Sequence, residues 1–274
     1  MSLINLDKYE EAIECFDQAL MIHPKYDDAL IYKGVALCNL NKYEEAIQCF
    51  DQAIIINPKN EYALIKKGVA LDNLNKYEEA IECFDKTIIL NPICAHALMQ
   101  KGNALCNLNK YEEAIEYYDK ALMINPKIYT ALYNKGKALE NLNKHEKAIE
   151  CYNKVLMMNP KDNKVLISKG VSLCNFNKYE EAIECYDNAL IINPKDVLAL
   201  EIKGKVLHKI KKYMGAITCY NEALFLKTSP NLLILKAHSL FELGKTSDAK
   251  KLYLAALDKG SNELDYIKNQ IQQI

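Results

Sequence analysis

Residues 73–92 read NLNKYEEAIECFDKTIILNP, and most of the chain is a set of variations on that stretch. Nearly the same run returns at 39–58, 107–126, 141–160 and 175–194, with a shorter copy at 5–24. Each start lies 34 residues after the one before. Self-similarity at this spacing marks an array of small supersecondary units, each too small to bury its own apolar face and therefore stacked on its neighbours.

Every full unit carries two helical patterns. In 27–60 the first covers about 27–40, with Ala29, Leu30, Ala36, Leu37 and Leu40 at helical spacing. The second covers about 43–56 and is expected to bury Ala46, Ile47, Phe50 and Ala53. Asn41 falls where the chain must turn, and asparagine tolerates the left-handed conformation that ends a helix. Asn75, Asn109, Asn143 and Asn177 repeat it, and Gly244 takes the same place later. Asn57-Pro58 closes the second helix, because the residue before proline avoids the α region.

Composition narrows the function classes. Of 274 residues, 50 % are apolar and 26 % charged, and the formal net charge is −1. All 35 basic residues are Lys. A nucleic-acid binder normally carries a clear basic excess, so nucleic acid is not an expected partner. No apolar run approaches the roughly 18 residues of a membrane span, and no secretory pattern opens the sequence. Of the ten cysteines, Cys15, Cys49, Cys83, Cys151, Cys185 and Cys219 share one column, and Cys38, Cys106 and Cys174 another. Tyr117 stands once in the first column; Asp72, Glu140 and His208 interrupt the second. Columns that accept Tyr or Asp for Cys are packing positions rather than a disulfide framework. A reducing, cytoplasmic compartment is expected.

Three columns govern the packing. Gly34, Gly68, Gly102, Gly136, Gly170 and Gly204 lie inside first helices, where glycine costs about 1 kcal/mol relative to alanine. Ala12, Ala46, Ala80, Ala114, Ala148, Ala182, Ala216 and Ala249 form an unbroken column. The third is aromatic: Phe16, Phe50, Phe84, Tyr118, Tyr152, Tyr186, Tyr220 and Tyr253. Small residues let two helix backbones meet, and the ring is expected to fill the space between successive units.

With its helix–turn–helix period, glycine, alanine, aromatic and closing proline, the chain resembles the tetratricopeptide repeat over about residues 1–258. The resemblance implies an all-α, right-handed α-solenoid (superhelix). Its expected units are 1–26 (the second helix only), 27–60, 61–94, 95–128, 129–162, 163–196, 197–229 and 230–261, with a C-terminal capping helix at 262–274. The first unit reads as a cut from a longer array, and the last as its natural end. A Lys column (Lys33, Lys67, Lys101, Lys135, Lys169, Lys203, Lys236) departs from the family's usual Leu; the aliphatic stems are expected to pack while the ammonium groups reach water. An irregular turn is expected at 227–230, where the closing proline is lost.

Little in the sequence points to catalysis. His23, His96, His145, His208 and His238 are scattered, and no HExxH, CxxC, GxSxG or phosphate loop occurs. The paired glutamates that open second helices face the helix dipole there. No enzyme activity, metal or cofactor is expected. The resemblance implies a concave groove, lined by first helices, that holds a peptide segment of a partner protein. One groove column holds Asn39, Asn73, Asn107, Asn141 and Asn175, then Lys209. Side-chain amides both donate and accept and can hold an extended backbone, although asparagine near a helix end also satisfies local carbonyls. Ile31, Tyr32, Val35, Cys38, Ile65 and Val69 are expected to make the groove's first half apolar, while Lys137, Lys164, Lys205 and Lys209 outnumber Glu140 and Glu201 in its second half. Against the carboxylate clamp of tetratricopeptide co-chaperones, Asn103, Asn134 and Lys164 match, but Met99 and Ser168 stand where two cations belong. The readings are a peptide-binding scaffold, the recruiting region of a larger enzyme such as a glycosyltransferase, and self-association through the uncovered first unit.

Overall fold

The computed structural model describes residues 8–260 and Gln272; the capping helix expected at 262–274 lies, apart from Gln272, outside them. The described residues form α-helices and turns without strands. Residues up to Leu142 form one compact unit and those from Asn143 a second. The first contains α1 (Tyr9–Ile22), α2 (Asp27–Asn39), α3 (Tyr43–Ile56), α4 (Glu61–Asn73), α5 (Tyr77–Leu90), α6 (Ala95–Asn107), α7 (Tyr111–Ile124) and α8 (Tyr129–Asn141). The second contains α9 (His145–Met158), α10 (Asn163–Asn175), α11 (Tyr179–Ile192), α12 (Val197–Lys209), α13 (Tyr213–Leu226), α14 (Pro230–Glu242) and α15 (Thr246–Asp258). Within each unit every helix packs on the helices before and after it in sequence, the contact pattern of an α-solenoid.

The expected turn chemistry is present. Asn41, Asn75, Asn109, Asn143 and Asn177 all take positive φ, between 55° and 60°, as does Gly244 at 74°. The following tyrosine reinforces the turn: the Tyr43, Tyr77 and Tyr111 hydroxyls donate to Asn41, Asn75 and Asn109 Oδ1 at 2.9, 2.6 and 2.6 Å. Lys211 takes the same conformation, φ 62°, with a side chain poorly suited to it. Four first helices are N-capped by side chains. Asn60, Asp162, Asp196 and Ser229 accept from the third helical N–H. At the irregular turn, Ser229 caps α14 and Pro230 occupies its first position.

The glycine column has a local cause. A Cβ on Gly34 would sit 2.6 Å from Phe50 Cε1, and on Gly102 2.7 Å from Tyr118 Cε1; Gly68 and Gly170 face Phe84 and Tyr186 in the same way. The ring thus presses on the glycine of its own helix pair, and Phe50 also shares a core cluster with Ala63 and Ala70 of the next pair. These rings are at most 1 % exposed, and the alanine column is buried throughout.

The Lys column does more than shelter its stems. Lys33, Lys67, Lys101 and Lys203 bond Asp17, Asp51, Asp85 and Asp187 at 2.5–2.6 Å, and Lys135 pairs with Asp119. Each bridge joins a first helix to the second helix of the preceding pair. Lys169 and Lys236 instead have Asn153 and Asn221 in the aspartate column. None of the ten cysteines is in a disulfide; Cys49, Cys83, Cys151, Cys185 and Cys219 are buried. Burial pushes the half-buried Cys38 thiol up to about 11.

Candidate peptide-binding cleft

The first helices of the first unit bring five of the candidate residues to one location. A cleft of about 260 Å³ between α6 and α8 is lined by Asn103, Asn107, Asn134, Lys137 and Asn141, with Cys106, Tyr111, Tyr118 and Ala138. The lining follows from helical spacing: Asn103, Cys106 and Asn107 lie one turn apart on α6, as do Asn134, Lys137 and Asn141 on α8.

A hydrogen-bonded track crosses three first helices. Asn134 Nδ2 donates to Asn103 Oδ1 at 2.8 Å, and the Tyr118 hydroxyl donates to the same oxygen at 2.8 Å. Asn103 Nδ2 donates to Gln100 Oε1 at 2.7 Å. On the other side, Asn107 Nδ2 reaches back to Asp72 Oδ1 on α4 at 3.1 Å. Burial raises the Asp72 carboxyl above its ordinary range, and the bond from Asn107 opposes the rise. Lys137 Nζ pairs with Glu140 Oε2 at 2.5 Å. Asp72 stands out in the sequence only as an interruption of a cysteine column; here it accepts from Asn107, while Glu140 pairs with Lys137.

The asparagine row is divided in its use. Asn39, Asn73 and Asn141 donate to the carbonyls of Val35, Val69 and Lys137, four residues earlier, at 2.9, 2.8 and 3.0 Å. Those amides serve their own helix ends. Asn107 alone among these four reaches a neighbouring helix. All four are exposed, as is Asn175 on α10, and an amide oxygen keeps its acceptor capacity when the N–H is used.

The structure also corrects the apolar half of the expected groove. Ile31 is 2 % and Ile65 7 % exposed, so both belong to the core and offer no binding surface. Ile31 is covered in part by α1, sharing a core cluster with Ile13 and Leu20. Val35 and Val69 are half-buried, and the half-buried Tyr32 stacks on Phe16 at 6.2 Å between ring centroids. Nor is the basic half a set of free charges. Lys137 and Lys205 are neutralised by Glu140 and Glu201, and Lys209 lies over the Tyr179 ring at 5.0 Å. Lys164 is exposed on α10. In the clamp comparison, Met99 is 8 % exposed, and its sulfur accepts from Thr130 Oγ1 at 2.9 Å. That corner is an apolar contact rather than a cation site.

Among the described residues no helix is long and apolar enough to cross a membrane, and no cluster of His, Cys, Asp and Glu could hold a metal ion.

Two family models described as tetratricopeptide repeat match the chain, one at 95–128 and 129–162 and the other over 168–231. The model for anaphase-promoting complex, cyclosome, subunit 3 matches 2–87. No curated protein sequence matches. Among solved structures, the C-terminal part of a TPR repeat-containing protein from Cytophaga hutchinsonii aligns with TM-score 0.73 at 16 % identity, covering 87 % of this chain and 98 % of that one. A tetratricopeptide repeat protein from Parabacteroides merdae aligns with TM-score 0.64 at 19 % identity, covering 90 % and 97 %. YrrB, described as a TPR protein with an unusual peptide-binding site, aligns with TM-score 0.57 at 23 % identity over 70 % of this chain and 98 % of its own. These likenesses concern the fold. With helix pairs, packing columns and family models in agreement, the chain belongs to the tetratricopeptide-repeat family.

Proposed function

We propose that this protein is a non-catalytic interaction scaffold that binds an extended peptide segment of a partner protein in the cleft between α6 and α8. The observation that carries the reading is the gathering of Asn103, Asn107, Asn134 and Asn141 around one cleft, with Lys137 among them. Amides that both donate and accept can match the alternating N–H and C=O groups of an extended backbone without reading its side chains. The peptide-binding description of YrrB is in keeping with this use of the fold.

The test begins with peptides selected from a random library on the intact chain. Asn107→Ala with Asn141→Ala should weaken their binding about 10-fold or more, as expected when hydrogen bonds worth about 1 kcal/mol each are lost. Both residues are exposed, so the melting temperature should hardly move. Unchanged affinity with a lowered melting temperature would assign the row to helix capping and remove the cleft from the reading.

A further inference from the structure

Met21, Ile55, Ile89 and Met123 occupy one place in the repeat, the penultimate residue of α1, α3, α5 and α7, and they are 79–83 % exposed. The residue after each, from Ile22 to Ile124, is large, apolar and exposed as well. Single exposed apolar residues are ordinary on protein surfaces, but one position that is apolar and largely exposed on four successive second helices is a repeated feature that calls for an explanation. The identity shifts between Met and Ile while the bulk stays apolar. Three residues earlier on the same helices, Gln18, Gln52, Lys86 and Lys120 are exposed and polar.

This outer face also contains a recess. Between α3 and α5 a groove of about 410 Å³ is lined by Ile54, Pro58, Leu64, Ile89 and Leu90, with Lys67 and Lys86 among the polar residues at its edge. Exposed Lys25, Lys59 and Lys127 follow the apolar row in the loops. Exposed Glu14, Glu82 and Glu116 lie two turns before it, on the same side of their helices.

We propose that this face of the first unit pairs with the same face of a second copy of the chain, with the second helices antiparallel across a two-fold axis. One surface supplies both the protruding side chains and the apolar recess that receives them, as an isologous contact requires. The charges are arranged for the same pairing. A two-fold axis through the apolar row sets the loop lysines of each copy over the glutamates of the other. An anionic bilayer would meet those glutamates unpaired, so the second copy is the better occupant. The row and the residues after it offer roughly 900 Å² per copy, against about 800 Å² per partner in a standard-size interface.

Light scattering on the intact chain at micromolar concentration tests the pairing. The expected mass is twice that of the chain. Ile55→Lys with Ile89→Lys should raise the dissociation constant at least about 100-fold with unchanged far-UV circular dichroism, since both side chains are exposed. Met123→Glu alone should raise it by a smaller factor, while Asn107→Ala with Asn141→Ala should leave it unchanged. A monomeric native chain, or a double lysine variant as dimeric as the native protein, would overturn the proposal. So would a monomer that floats with phosphatidylserine–phosphatidylcholine vesicles through this face.

Discussion

Consider replacing Gly102 with alanine, a change that by helix propensity alone should stabilise α6 by about 1 kcal/mol. The new Cβ would lie 2.7 Å from Tyr118 Cε1 and 2.9 Å from Cδ1, whereas ordinary contact begins at 3.4 Å. The ring must therefore retreat by roughly 0.7 Å in a core at native packing density. It has little freedom to do so. Tyr118 is fully buried, and its hydroxyl is fixed by Asn103 Oδ1 and Cys106 Sγ. Overpacking of this kind costs about 1–3 kcal/mol, and pulling the hydroxyl off its acceptor adds about 1 kcal/mol. Setting the propensity gain against these leaves a net loss of about 1–3 kcal/mol.

The assay is urea unfolding of the intact chain, with amide hydrogen exchange in α6 and α7 to locate the loss, because repeat arrays can open locally. The last helix pair provides the reverse experiment. There Ala237 replaces the glycine, and it and Tyr253 are fully buried in one cluster. Ala237→Gly should therefore also destabilise, by about 1 kcal/mol, through lost propensity and a small void. Both substitutions are predicted to lower stability, in opposite chemical directions. A Gly102→Ala variant with a higher urea midpoint would refute the claim that the glycine column exists to seat the aromatic ring.

Two further outcomes are expected. Lys211→Gly, or Lys211→Asn, should raise stability by about 1 kcal/mol in thermal or urea unfolding, because it removes a long side chain from a residue at φ 62°. The Lys–Asp bridges predict an alkaline transition: the Lys33, Lys67, Lys101 and Lys203 pKa values lie above the ordinary 10.5 in the folded chain. A raised folded-state value means the bridges contribute fully below the unfolded pKa and fade as pH rises through the folded one. Melting temperature should therefore fall above about pH 10.5, and Asp85→Asn should make that fall shallower while lowering stability at neutral pH. An equally steep alkaline fall in the Asp85→Asn chain would show that its bridge does not contribute to the effect.

The candidate site was only partly legible in the sequence. The sequence relates Asn103 and Asn134 to a clamp and Asn107 and Asn141 to a row, two separate features. The cleft brings all four together because successive first helices pack side by side, so residues about one repeat apart become neighbours. Ile31 and Ile65 failed as groove residues for the same reason. Helical spacing assigns them to a face, but packing between helices buries that part of it. The Asn107–Asp72 bond is not legible in the sequence, where Asp72 reads as noise in a column of cysteines.

The amino-acid order by itself determined the helix pairs, their period, the left-handed asparagine turns and the small and aromatic columns, since these depend on residues near one another in the chain. The tertiary structure decided which lysine meets which aspartate and which groove residues stay open. It also showed that the recurrent apolar residue near the ends of α1, α3, α5 and α7 faces outward. Those outcomes depend on how one helix pair seats on the next, a relation between segments that no local spacing specifies.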